Sequence, residues 1–203
     1  MQWRRWLRKA WWFIWEDDSL LSWIVNVILA FVLIKFVVYP GLGLMLATTH
    51  PIVAVVSGSM EHDGGFESWW STQESWYAQR GITKEMFKGF PLSHGFNRGD
   101  IMVLHGKETI DVGDVIVFQS TLPDPIIHRV IAKGDEYYQT KGDHNPDMNP
   151  NEQKILPEQL IGYQKYGKGS VAVLRIPFLG YLKIWAVNML CLFSPNMIIC
   201  AYT

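Results

Sequence analysis

The sequence predicts a mainly β protein held at a membrane by an N-terminal transmembrane helix. Three features predict it. Residues 19–39, "SLLSWIVNVILAFVLIKFVVY", are almost continuously apolar, and about 20 residues at 1.5 Å rise cross a hydrocarbon core of about 30 Å. From residue 100 to 176, short runs rich in Val, Ile, Tyr and Phe alternate with Gly, Asp and Pro. No long helical pattern separates them, which favours an antiparallel or mixed β domain, a folded-over sheet or partial barrel, over a doubly wound parallel sheet. Between anchor and strands, residues 61–98 form an aromatic-rich stretch that reads as a small helical insert.

The elements follow in chain order. Residues 1–18 begin "MQWRRWLRKAWWFIW", with Trp3, Trp6, Leu7, Ala10, Trp11 and Ile14 at helical spacing and Arg4, Arg5, Arg8 and Lys9 mostly between them. This pattern predicts a basic, Trp-rich helix lying in the membrane interface. "RRWLRK" loosely matches a twin-arginine export signal, but the acidic residues 16–18 separate it from the apolar run. That run, interrupted by Asn26 and Lys35, is longer than the 7–15 apolar residues of a cleavable signal peptide, and no small-x-small cleavage site follows it. It therefore reads as an uncleaved signal anchor. The basic residues ahead of it place the N-terminus in the cytoplasm and residues 40–180 outside. Pro40, Gly41 and Gly43 are expected to break the helix.

Residues 52–57, "IVAVVS", read as a strand starting near the membrane surface. In the insert, Thr83 ahead of "KEMF" predicts a short N-capped helix. Its aromatic residues suit either a cover packed on the β domain or a surface dipping into lipid. The strands are "DIMVLHG" (100–106), "DVIVFQS" (114–120), "IIHRVIA" (126–132), "YYQTKG" (137–142) and "VAVLRI" (171–176). Residues 181–203 are apolar but carry Lys183, Asn188, Pro195 and Asn196, and read either as a second span or as an interfacial segment.

The composition narrows the chemistry. A net charge of −1 gives no basic field for nucleic acid. Both cysteines, Cys191 and Cys200, lie in the C-terminal segment, so the β domain has no Cys nucleophile, disulfide framework or Cys-based zinc site. Ser57 and Ser59 flank Gly58 just past the anchor. A serine hydroxyl needs a base to take its proton, so Ser59 alone proves nothing and a structural turn is the plain alternative. His128 shares a strand face with Ile126 and Val130, opposite Ile127, Arg129 and Ile131. It is either a buried structural histidine or a general base. In "TKGDHNPDMNP" (140–150), Asp143 and Asp147 flank His144. They can be turn residues, a metal site with His144, or the acid that orients His128 in a Ser-His-Asp triad. His50, His62, His94 and His105 have no evident partners in sequence and read as structural or solvated.

"VVSGSMEHDGGF", "NRGDIMVLHG", "VGDVIVFQ", "IIHRVIA" and "YYQTKGDHNPD" resemble, in that order, the boxes of type I signal peptidases (family S26) over roughly residues 20–180. "HRV" in the fourth box is similar to the archaeal and endoplasmic-reticulum branch, in which histidine replaces the catalytic lysine. The resemblance implies a membrane-bound serine endopeptidase that removes signal peptides with small residues at the first and third positions before the cut. It implies no cofactor or metal, secretory preproteins and the lipid bilayer as partners, and proximity to the translocon. It also implies residence in the cell membrane, or the endoplasmic-reticulum membrane of a eukaryote. It makes Ser59 the nucleophile, His128 the base, and Ser57 with the Ser59 N–H the oxyanion donors. Asp143 matches the first acidic position of the last box. The second acidic position is Asn149, with Asp147 the nearest acid, so the orienting acid is expected to be Asp143 or Asp147. The long insert fits an archaeal origin. The competing class is a non-catalytic membrane-tethered β domain serving as an interaction or assembly module.

Overall fold

A computed structural model describes residues 2–121 and 123–182, with Trp185, Met189, Cys191 and Leu192. The expectation of a second span at 181–203 falls largely outside the described residues. The chain divides into two compact units, Met1–Met45 and Leu46–Thr203.

In the first unit, α1 (Gln2–Trp15) turns into α2 (Leu20–Leu33) through an acidic corner. Asp17 accepts the Ser19 N–H at 2.9 Å, and Ser19 caps α2 by accepting from the Ser22 N–H. The last carbonyls of α1 have no helical partner of their own. Two polar residues of α2 supply donors: Ser22 Oγ–H to the Phe13 carbonyl, and Asn26 Nδ2 to the Ile14 carbonyl at 2.9 Å. Asn26, which interrupts the apolar run in sequence, is thus a clasp between the helices. Trp3, Trp6, Trp11, Trp12 and Trp15 are all exposed.

Pro40 does not end the helix. A π-helical turn, Ile34–Val38, leads into α3 (Tyr39–Met45), and the Tyr39 N–H reaches back to the Ile34 carbonyl. The proline sits in the first turn after this widened turn, where a missing N–H is tolerated. The continuous helix Leu20–Met45 is 26 residues long with a mean hydropathy of 2.5 over its most apolar window, long and apolar enough to cross a membrane.

The second unit is a six-stranded sheet in the order β1-β2-β6-β3-β4-β5, antiparallel at every pairing. Its strands are β1 (Ile52–Ala54), β2 (Ile101–Lys107), β3 (Val115–Phe118), β4 (Ile126–Lys133), β5 (Tyr138–Lys141) and β6 (Gly169–Ile176). β3 shows why alternation works here: Val115 and Val117 enter one apolar cluster with Val55, Met60, Phe96 and Met102. Ile116 and Phe118 enter another with Val130, Ile155 and Leu160. The expected strand at 52–57 is shorter, although Val55 still exchanges hydrogen bonds with Gly99 and Asp100.

The insert folds as α4 (Phe66–Ala78) and α5 (Lys84–Lys88), the latter capped by the Thr83 hydroxyl on the Met86 N–H. Phe66, Trp69, Trp70, Tyr77 and Phe87 are buried together against Ile131. Of the two roles open to the insert, this burial favours the cover: the aromatic rings are spent on the β domain.

Candidate active site

The serine turn follows directly on β1. The Glu61 N–H closes it on the Gly58 carbonyl at 3.0 Å, and Glu61 Oε1 accepts the Arg98 N–H at 3.0 Å. Ser59 is half-buried and Ser57 exposed, so the hydroxyls open to solvent while Met60 anchors the turn in the core. The Met60 carbonyl accepts the Phe96 N–H, and the Ser59 carbonyl accepts the His144 N–H at 2.9 Å. The turn is therefore held by the end of the insert on one side and by the loop after β5 on the other.

His128 is 5% exposed on β4. Its Nε2 lies 2.8 Å from Ser59 Oγ, and Ser59 Oγ lies 3.1 Å from Ser57 Oγ. The sequence brings these residues from 69 positions apart because β4 is the second strand in from the sheet edge and the serine turn is fastened to the β5 loop beside it.

The carboxylate that meets the other ring nitrogen, Nδ1, belongs to Glu152. Neither Asp143 nor Asp147 takes that place. Glu152 sits in a 3-10 turn, Pro150–Glu152, started by an Asn149 capping box. It is fully buried and hydrogen-bonded on both oxygens. Oε1 also accepts the Thr140 hydroxyl at 3.1 Å, while Oε2 accepts the Asn149 N–H at 2.9 Å and the Asn149 side-chain amide. Burial works to raise its pKa, but the hydrogen bond and charge of His128, with the bonds from Asn149 and Thr140, bring it below the ordinary value.

Asp143 lies on the opposite face of β4, with Arg129. Both are fully buried. Arg129 places its whole guanidinium: Nε and Nη2 on the Asp143 carboxylate at 2.8–3.2 Å, and Nη1 and Nη2 on the carbonyls of Pro91, Gly113 and Leu92. Asp143 also accepts from Tyr77 Oη–H at 3.2 Å and pairs with His62 Nε2 at 3.1 Å. Burial opposes its charge, yet the Arg129 guanidinium and the His62 bond hold its carboxyl well below the usual carboxylate range. This network joins the insert, β4 and the β5 loop, directly behind the serine turn. His62 stacks on Trp69 at 3.7 Å, and burial depresses its pKa more than Asp143 restores it.

Asp147 is exposed, accepting from Trp76 Nε1 at 2.9 Å and lying 3.9 Å from Arg80. His144 faces Asp63 at 3.7 Å. Asp143, His144 and Asp147 thus turn to separate partners and do not converge on a point where a metal ion could sit.

Sequence reasoning missed Glu152, Arg129 and His62. The one signal for Glu152 was the Asn-x-x-Glu spacing at 149–152, which marks a capping box and hence a fixed carboxylate.

No family model matches the chain. Among curated proteins it is similar to the signal peptidase complex catalytic subunit SEC11 of Komagataella phaffii, 32% identical over 122 residues that cover 55% of this chain and 53% of the relative. The same-named protein of Lachancea thermotolerans is 29% identical over 160 residues, 74% of each chain. That of Plasmodium falciparum is 26% identical over 176 residues, 81% of this chain and 73% of the relative. The match spans about half the length of the first relative and about three quarters of the other two.

Proposed function

We propose that this chain belongs to the signal peptidase family and is a membrane-bound serine endopeptidase cleaving N-terminal signal peptides from exported preproteins, a reading supported by its similarity to the SEC11 catalytic subunits. The observation that carries the reading is the 2.8 Å contact between Ser59 Oγ and His128 Nε2 at a surface turn. Ser59 Oγ attacks the scissile carbonyl carbon as its proton passes to Nε2. The oxyanion that forms is met by the Ser59 N–H and the Ser57 hydroxyl, the latter already beside the nucleophile. His128 then gives its proton to the leaving amine, leaving the signal peptide's carbonyl esterified to Ser59. A water attacks that ester, losing its proton to Nε2, and the proton returns to Ser59. Substrates carry small residues at the first and third positions before the cut.

The bilayer is the second partner in this reading. The helix Leu20–Met45 anchors the chain, with the N-terminus cytoplasmic and the β unit on the extracytoplasmic face, near the translocon. Within the β unit, Ile52 pairs through Val103 to Leu174, and Ala54 through Ile101 to Ile176, forming apolar rows on one sheet face. Ile52, Leu174 and Ile176 are exposed, as are Phe178 and Leu179 beyond β6, and this surface supports contact with lipid. The relatives named above are eukaryotic, which supports the endoplasmic-reticulum membrane; the long insert is the one feature that supports an archaeal source.

A non-catalytic tethered domain would have no use for a serine and a histidine held in hydrogen-bond contact beneath an open turn. The test is cleavage of a preprotein by the full chain in detergent: Ser59→Ala abolishes cleavage, and an unchanged rate in that variant removes the serine mechanism.

A further inference from the structure

The histidine on β4 has two ring nitrogens, and a base that takes a proton at Nε2 must hold its own proton at Nδ1. A neutral imidazole left to itself divides between two tautomers and turns about its side-chain bonds. Something must fix both the tautomer and the ring plane.

We propose that Glu152 is the positioning residue for His128: its carboxylate accepts the Nδ1–H, fixes the reactive tautomer with Nε2 turned to Ser59, and balances the charge that His128 gains during acyl transfer. This rests on Ser59 as nucleophile and His128 as base. It assigns the role to neither acidic residue of the loop directly after β5. Three features of the site carry it.

First, Glu152 is the carboxylate on Nδ1, whereas Asp143 is occupied by Arg129, Tyr77 and His62 and Asp147 is exposed beside Trp76. Second, the carboxylate cannot swing. Thr140 shares Oε1 with His128, and Asn149 holds Oε2 through both its N–H and its side-chain amide. Third, Asn149 is matched to a carboxylate at 152. A carboxylate at 149 would face Oε2 and repel it, whereas the amide donates to it. Asn149 and Glu152 therefore belong together as a pair: the residue at 149 is a donor that clamps the carboxylate at 152.

The test is steady-state cleavage, by the full chain in detergent, of an internally quenched peptide with Ala at the first and third positions before the cut. Glu152→Gln keeps the shape but loses the charge, and kcat is expected to fall about 10³- to 10⁴-fold with KM within about twofold. Glu152→Asp, which keeps the charge on a shorter arm, recovers part of that loss. Should Glu152→Gln fail to fold, Thr140→Val loosens the carboxylate without removing it, and kcat falls about 10- to 150-fold at constant KM, as for loss of a hydrogen bond to a charged group of about 1.5–3 kcal/mol. A second readout is independent of turnover. In the ring ¹⁵N spectrum of the folded wild type, the His128 proton resides on Nδ1, and in Glu152→Gln the two tautomers mix.

The inference is overturned if Glu152→Gln, or Thr140→Val in its place, retains wild-type kcat while Ser59→Ala is inactive. It is equally overturned if Asp143→Asn disturbs the His128 tautomer and Glu152→Gln does not. Should Ser59→Ala itself retain activity, the serine reading fails instead, and the tautomer measurement still reports on Glu152.

Discussion

Gly142 leaves no room for a side chain beneath His128: a Cβ there would lie 2.8 Å from His128 Nε2 and 2.8 Å from the Ser59 carbonyl oxygen. The first residue after β5 is therefore glycine for reasons of space. It lets the loop that carries Asp143 pass directly under the serine–histidine contact and lets the His144 N–H reach the Ser59 carbonyl.

Gly142→Ala should push His128 or the serine turn out of register. Overpacking of this kind costs about 1–3 kcal/mol. Peptide cleavage is expected to drop at least about tenfold in kcat, with a lower Tm for the full chain in detergent. A wild-type kcat in the alanine variant would show that the contact has slack the geometry does not suggest.

The Arg129–Asp143 pair is a stability element. Removing one partner strands a buried charge, so Arg129→Met and Asp143→Asn should each destabilise by about 3–5 kcal/mol, with the double variant losing less than the sum. The pH dependence follows from the depressed Asp143 pKa. The unfolded carboxyl titrates near 3.9 and the folded one lower, so this contribution is complete above about pH 5 and is lost progressively as pH falls through the unfolded value towards the folded one. Thermal unfolding in a double-mutant cycle, repeated across the acid range, checks both statements.

His62 gives a pH effect of its own nearer neutrality. Its folded pKa lies below the unfolded value of about 6.5, because burial against Trp69 disfavours the cation more than Asp143 favours it, and Arg129 and His94 add to the depression. Between the two values the unfolded chain binds the extra proton, so stability falls as pH drops from about 7 into that window. His62→Gln should flatten the dependence of Tm on pH between about 7 and 5. A slope that survives the substitution would assign it to another group.

Much of this was legible in the chain before its structure. The anchor was visible because apolar length is a property of consecutive residues. The strands and the two faces of β4 were visible because period-two alternation is local: His128 and Arg129 do point to opposite sides, one to Ser59 and one to Asp143. What escaped depended on contacts between distant positions. His62 finds its carboxylate 81 residues on, and no local pattern marks either partner. Glu152 sits 24 residues from His128, in a turn that reads as loop, while the acidic residues of 143–147 drew attention by proximity to a strand end. Pro40 misled for the opposite reason. Its helix-breaking tendency is real, but a π-turn before it absorbs the missing N–H and the helix runs on to Met45.

The central claim is that Ser59 attacks a peptide carbonyl with His128 as its base. The most direct measurement is cleavage of a preprotein by the full chain in detergent, compared with the Ser59→Ala and His128→Ala variants at equal folded concentration. The account predicts an N-terminus released after a small residue by the wild type, and losses of at least about 10³-fold in each variant. Wild-type rates in both variants would contradict it.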